Sequence, residues 1–359
     1  MTKYITESER PNQKRPSLPV FNRVLLSLLL LGGAAVLFRI GLKPITGETL
    51  TLESFQEPLQ GAKTAQISLG GQSADLQVSV QALAGLAVIG TSYFPQNSTI
   101  TQSARLEQES LWVSLNETLP SSRFTFGLSF NNRSPHWEVQ LNRELPTDLK
   151  VDLGSGDTTL NLEGAILKSL NAKGGSGEMK LTLPNRLEGD VSLSIGSGNM
   201  RVDSALETSI SAKLSNQGLS FEAQSGSGEQ SLDLRGTDFE SVKTRNGSGN
   251  LNITLPNRSR VTANLQTRSG ELEVRVPAGL KMGALSLSSG SGGVTVWITP
   301  DAAVRATFDG KEEDARVPDG YALRDGVYLS PAALEGKPAL NLNLRAESGE
   351  IKLITEESP

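Results

Sequence analysis

The stretch SGEQSLDLRGTDFESVKTRNGSGNLNITLPNRSRVTANLQTRSGELEVRVP, residues 227–277, holds three copies of one pattern. A Ser-Gly pair stands at 227, 248 and 269, and Glu229, Asn250 or Glu271 follows it. Alternating apolar residues come next: Leu232/Leu234, Leu251/Ile253/Leu255 and Leu272/Val274/Val276. Alternation with period two marks a strand with one buried face. Proline closes two of these runs, ITLP at 253–256 and VRVP at 274–277, because it removes a ladder donor. A second alternating run, such as Val261/Ala263/Leu265, then leads to the next Ser-Gly.

The pattern extends outward from this stretch. Upstream, Ser155, Ser176 and Ser197 are 21 residues apart. Downstream copies fall at Ser291 and Ser348, and Gln217-Gly218-Leu219 reads as a degenerate copy between 197 and 227. Asp157, Glu178, Asn199 and Glu350 occupy the position after the pair, with Gly293 as the exception. A unit this short cannot bury its own apolar face, so successive units must stack, and equivalent strands then pair in parallel. The expected fold is all-β: a two-sided parallel β-solenoid of about 21-residue rungs, with aliphatic columns inside and polar columns outside. Helical repeats need a 3.6-residue period, and an antiparallel sandwich does not explain the constant step. Reversals between strands call for glycine, which assigns a structural turn role to Gly156, Gly177, Gly198, Gly228, Gly249, Gly270, Gly292 and Gly349. Eight stacked units span about 40 Å at ~4.8 Å per strand.

Composition narrows the chemistry. The 359 residues include one histidine, His136, and no cysteine. Disulfides, thiolate metal sites, cysteine nucleophiles and paired-histidine metal sites are thereby excluded. Aromatic residues are only 5% of the chain, so the core must be aliphatic. The net charge of −5 is uneven: residues 1–43 carry +5 and the remainder −10. Within the basic part, residues 24–38 read VLLSLLLLGGAAVLF. Extended to 20–42, a helix covers about 34 Å, enough for a ~30 Å hydrocarbon core if Arg23 and Arg39 reach the interfaces. Five basic residues precede it, which places residues 1–22 in the cytoplasm and exports the chain beyond about residue 43. A cleaved signal peptide fits less well, because Leu37-Phe38-Arg39-Ile40 is a poor cleavage site. A buried soluble helix fits less well again, since no polar face exists.

The expected organisation is a basic cytoplasmic segment (1–22), a transmembrane signal anchor (23–42), a linker (43–60), an N-terminal cap (61–147) and a solenoid (148–357). A polar loop insertion at 301–338 interrupts the last of these. The cap contains strand-like runs at 74–80, 111–115, 124–130 and 137–141, and the apolar stretch 83–89 reads as a buried cap strand.

The stretch HWEVQLNRELPTDLKVDLGSGDTTLNLEGAILKSLNAKGGSGEMKLTLPN, residues 136–185, resembles the toast-rack, or adhesin-type, β-solenoid domains of bacterial membrane-anchored proteins. Trp137, Pro146, Leu149, Val151, Gly154, Gly156, Leu160, Leu162, Gly175, Gly177 and Leu183-Pro184 fall on that family's pattern, and GGQSADLQVSV (70–80) resembles its opening strand. The resemblance covers roughly 61–357. Relatives include LiaF-like and cell-wall-active-antibiotic response proteins, so it implies a sensing, scaffolding or adhesion role without known catalytic residues. A single membrane segment is a departure from some relatives.

Other chemistry finds little support in the sequence. His136 lies at a strand start with no nucleophile motif nearby. The column of Asp157, Glu178, Asn199, Glu229, Asn250 and Glu271 reads as turn-capping acceptors, with weak cation binding as the alternative. Trp297 alternates with the inward Val294/Val296/Ile298 set, so it faces outward as a candidate contact residue. An acidic body without a basic stripe argues against nucleic acid. The expectation is a non-enzymatic binding, adhesion or scaffold module of the bacterial envelope, single-pass in the cell membrane and without cofactors. Its partner is an envelope protein or a cell-wall polysaccharide. A stress-signalling regulator acting through residues 1–22, or a polysaccharide-active β-helix enzyme, is the alternative.

Overall fold

The computed structural model describes residues 50–95, 99–118, 135–204, 218–309 and 315–356. They belong to one compact unit, Thr49–Phe124 with Asn132–Pro359. The membrane-anchor reading (23–42), the cytoplasmic segment (1–22) and the strand-like run at 124–130 lie outside the described residues. Among the described residues, no helix is long and apolar enough to cross a membrane.

Two sheets face each other across an aliphatic core. Each rung places a long strand on one sheet and a short strand on the other. Thr147–Ser155 turns into Thr158–Asn161, Ile166–Ser176 into Met179–Thr182, and Val191–Ser197 into Met200–Asp203. Leu219–Ser227 with Gln230–Asp233, Phe239–Ser248 with Leu251–Thr254, Arg260–Ser269 with Leu272–Arg275 and Met282–Ser291 with Val294–Ile298 continue the stack. Neighbouring rungs pair in parallel and in register. Leu160, Leu181, Val202, Leu232, Ile253, Val274, Val296 and Leu353 form one continuous buried column. Burial matches the alternation seen in the sequence, as in Val191–Ser197, where Val191, Leu193 and Ile195 are inward. Each rung is stabilised by its neighbours rather than by itself, since apolar burial contributes ~25 cal/mol per Å² and a lone rung buries little.

The interval 197–227 is a single rung. Ser197 pairs directly with Ser227, and Leu219 opens a long strand whose residue Phe221 lies opposite Val191. Of the expected corner at Gln217-Gly218-Leu219, Gln217 lies outside the described residues, Gly218 takes no positive φ and Leu219 is already in the strand. This interval is nine residues longer than the 21-residue step, and residues 205–217 within it lie outside the described residues.

Both ends differ from a simple sequence-ordered stack. The stretch 61–147 is more than a cap, because it contains two rungs. Thr64–Ser73 with Asp75–Gln81 lies against the Thr147–Ser155 rung, and Ser110–Thr118 with His136–Asn142 lies one level further out. Beyond that level the pairing turns antiparallel: Leu86–Pro95 and then Leu50–Pro58 on one sheet, Thr99–Glu107 on the other. Residues 50–58, within the expected linker, thus form the outermost strand of a sheet. Of the apolar stretch 83–89, only residues from Leu86 onward enter a strand. The cap is closed by Trp137, which is 1% exposed and meets Phe94 edge-to-face at 5.8 Å.

The insertion at 301–338 repeats this device. Val304–Asp309 and Ala315–Arg316 make a terminal level outside Leu340–Ser348 and Ile351–Thr355. The last Ser-Gly copy is therefore inserted between the Met282–Ser291 rung and the insertion. A hairpin of Ala322–Arg324 and Val327–Leu329 adds antiparallel strands, and the short helix Pro331–Leu334 comes after it. Ser330 caps that helix and also bonds Ala302 and Val304, tying the insertion to its neighbour. The described residues thus hold eleven parallel levels. Antiparallel or short terminal strands interrupt the open ladders that a solenoid otherwise presents.

Candidate functional site

The Ser-Gly corner is the most regular feature, and its geometry is structural. Ser73, Ser155, Ser176, Ser197, Ser227, Ser248, Ser269, Ser291 and Ser348 form one in-register column. The eight turn glycines have φ between 106° and 148°. At Gly198 an added Cβ would stand 1.8 Å from the Gly177 carbonyl oxygen one rung away, so both the torsion and the close approach require glycine.

The acceptor column beside these glycines is spent on the backbone. Asp75 Oδ1 accepts from the Asp157 N–H at 2.9 Å, and Asp157 Oδ1 accepts from the Glu178 N–H at 2.8 Å. Asn199 and Asn250 accept in the same way from the N–H groups of Glu229 and Glu271, each at 3.0 Å. The short side chains reach the next rung. The glutamates at this position turn to other partners, Glu178 to Lys180 and Glu350 to Lys352 and Arg316. Among the described residues no group of three or more His, Asp or Glu side chains is placed to hold a metal ion.

Ionic pairs dress the outer faces locally. Lys243 meets Glu222 on the adjacent rung at 3.0 Å, and Arg235 meets Asp233 at 2.7 Å. Burial pushes the Asp233 carboxyl up, but hydrogen bonds from Arg235 outweigh it and hold that carboxyl below its ordinary value. Such pairs at exposed positions each contribute less than about 1 kcal/mol.

Among the grooves on this polar surface, two contain a tryptophan. Trp297 faces outward from Val294–Ile298, as its alternation demands, and is half-buried. The Arg275 guanidinium lies 5.6 Å from its ring centroid, a cation–π contact. Its indole N–H is shielded and has no hydrogen-bond partner among the described residues. Arg235, Lys281, Thr299 and Glu356 complete an open groove of about 750 Å³.

The second groove, about 620 Å³, lies on the other sheet at the N-terminal end. Trp112 stands there with 36% of its surface exposed, and Arg105 sits 5.0 Å from its ring centroid. Gln66, Ser114, Asp148 and Lys150 line the floor. Sequence reasoning singled out Trp297 and passed over Trp112. The signal was available, because Leu111, Val113 and Leu115 are inward and Trp112 alternates with them. His136, at the cap, stacks on Tyr93 with ring centroids 4.3 Å apart.

A capped, two-sheet β-solenoid with an aliphatic interior and outward aromatic grooves is the class of protein that fold and surface define. Residues 46–203 match the family described as the N-terminal domain of toast_rack, DUF2154, so the chain carries a toast-rack domain over that stretch. A comparison with curated proteins finds no match. Solved structures that match include a candidate cell adhesion protein from Clostridium sporogenes, at 14% identity and a TM-score of 0.25, covering 86% of this chain and all of that one. A candidate adhesin from Bacteroides fragilis matches at 9% identity and a TM-score of 0.29, covering 85% and 97% of the two chains. A candidate lipid-binding protein from Parabacteroides distasonis matches at 12% identity and a TM-score of 0.34, covering 86% and 98%. Matches at this level carry no argument about function.

Proposed function

We propose that this chain is a non-enzymatic binding module of the bacterial cell envelope. Residues 23–42 anchor it in the membrane, residues 1–22 face the cytoplasm, and the β-body projects outside. The observation that supports the binding role is the pair of outward tryptophans, each beside an arginine over an open groove, on a body whose interior is filled by aliphatic columns. A packed interior leaves recognition to the outer faces. Aromatic and arginine side chains are the residues that most often carry contact energy at such surfaces. The split of a +5 segment from a −10 remainder supports the anchored, N-in arrangement.

Cosedimentation of the purified full-length protein with detergent-extracted bacterial envelopes, kept in detergent so that the anchor has no bilayer to enter, tests the binding role. The wild type is expected to pellet with envelopes, and the double variant Trp112→Ala/Trp297→Ala to remain largely in the supernatant while melting at the wild-type temperature. Equal pelleting of both proteins contradicts a role for these grooves.

A further inference from the structure

We propose that the Trp112 groove is a cleft for an uncharged oligosaccharide, an assignment that rests on the binding-module reading and names its ligand. Five adjacent strands build the cleft: Thr99–Glu107, Ser110–Thr118, Thr64–Ser73, Thr147–Ser155 and Ile166–Ser176. Their register places side chains in rows that run across the strands. In one row Arg105 is opposite Trp112, Trp112 opposite Gln66, Gln66 opposite Asp148, and Asp148 opposite Ser169. In the row beside it Ser103, Ser114, Ser68, Lys150 and Asn171 succeed one another in the same order. The second row therefore offers a polar group every ~4.8 Å over about 19 Å, and the first does the same except where Trp112 stands.

This arrangement suits a sugar chain better than the other ligands an outer face meets. A pyranose ring has a flat face of C–H groups and a rim of hydroxyls. The face complements an exposed indole, which supplies large apolar area at low cost in conformational freedom. The rim complements amides, hydroxyls and a carboxylate, which donate and accept in fixed directions.

A lipid chain would need aliphatic walls, but the lining residues Ile67, Val113 and Leu149 are buried in the core, which leaves Trp112 as the large exposed apolar side chain of the groove. A multivalent anion would need free cations. Arg105 is engaged by Glu107 at 3.4 Å and by the Trp112 ring, and Asp148 lies 3.7 Å from Lys168. Asp148 also accepts from the Ser169 hydroxyl at 2.6 Å, which fixes its carboxylate in the row. Lys150 is the one lining cation without an ion pair among the described residues. An extended peptide is recognised chiefly by main-chain pairing at a sheet edge, and this cleft lies on a sheet face. The Trp297 groove lacks the graded row: Arg275, Arg235 and Lys281 dominate it.

Titration calorimetry of the full-length protein with chitotetraose, cellotetraose, maltotetraose and mannotetraose, and with tetragalacturonate as an anionic control, tests the assignment. At least one neutral tetrasaccharide is expected to bind. Trp112→Ala should weaken it by about tenfold or more, equivalent to ~1.4 kcal/mol, because the stacking platform is lost. Gln66→Ala should weaken it less, and Lys150→Gln should shift it by less than about twofold. Unchanged melting of Trp112→Ala confirms that the loss is local.

Failure of all four neutral sugars to bind, or equal binding by Trp112→Ala, overturns the assignment. A preference for tetragalacturonate that vanishes in Lys150→Gln overturns it as well. If the wild type pellets with envelopes yet binds no neutral sugar, the cleft assignment fails and the binding-module reading survives. If it neither pellets nor binds, both fail.

Discussion

Trp137→Ala is expected to lower the unfolding free energy of the β-body by about 4 kcal/mol, read as a drop in the urea midpoint at constant slope. Trp137 heads the set of largest fully buried side chains and lies at the level where parallel rungs give way to the antiparallel cap. Its strand pairs in parallel with Asp75–Gln81 on one side and antiparallel with Leu86–Pro95 on the other. The ring also supports Phe94 edge-to-face. Truncation leaves a cavity that two differently oriented sheet segments cannot both relax to fill. Trp137→Phe keeps part of the packing, and it spares a shielded indole N–H that has no hydrogen-bond partner among the described residues. It should cost clearly less, about 2 kcal/mol. Equal losses for the two variants would show that the indole volume does not hold the cap.

Gly198→Ala should cost about 3 kcal/mol or more, because strain and collision add. The torsion at this corner is φ +116°, which disfavours any residue with a Cβ. The stacked Gly177 carbonyl occupies the place a methyl would take, and backbone on a neighbouring rung cannot swing away as a side chain does. Gly326 provides the control. It has φ +77° in the terminal hairpin and nothing within 4 Å of an added Cβ, so Gly326→Ala pays only the torsional cost of ~1–2 kcal/mol. The difference between the two urea midpoints isolates the stacking constraint. Indistinguishable costs would mean that the rungs can separate locally at the corner.

The repeat was legible because each regular corner demands the same two things of its sequence, a left-handed residue and a small one. Ser-Gly marks every position where both hold from 155 to 349. The stretch 70–80 reads in the sequence as an opening strand and not as part of a rung at 64–81, because the corner there is Ser73-Ala74-Asp75. Ala74 does not take a positive φ, so that corner is made without the glycine that flags the others. Its serine and aspartate nonetheless continue the columns, Ser73 opposite Ser155 and Asp75 capping the Asp157 N–H. Spatial order at the two ends was hidden for a different reason. Sequence neighbours are rung neighbours only while connections are short. Residues 82–109 and 301–338 are long enough for the chain to build an outer level and return inside it. Gln217-Gly218 was misleading because a glycine beside an apolar residue carries no register, whereas Ser227 does.

The outer surface was legible only in part. Alternation fixes which residues face outward, and it correctly turns Trp297 and Trp112 away from the core. It does not reveal which outward residues become neighbours. Arg105, Trp112, Gln66 and Asp148 come from four strands and adjoin through parallel and antiparallel register combined. That juxtaposition is a property of the inverted strand order at the N-terminal end, so a reading limited to the regular rungs passes over it.

A binding role in the envelope requires the β-body to lie outside the membrane, and the cysteine-free sequence makes that directly measurable. Ser17→Cys in the basic segment and Ser259→Cys at an exposed position of the body each introduce a single thiol. Intact cells carrying either variant are treated with a membrane-impermeant maleimide, before and after permeabilisation of the inner membrane. The account predicts labelling of Ser259→Cys in intact cells and of Ser17→Cys only after permeabilisation. Labelling of Ser17→Cys first, or of Ser259→Cys only after permeabilisation, would contradict it.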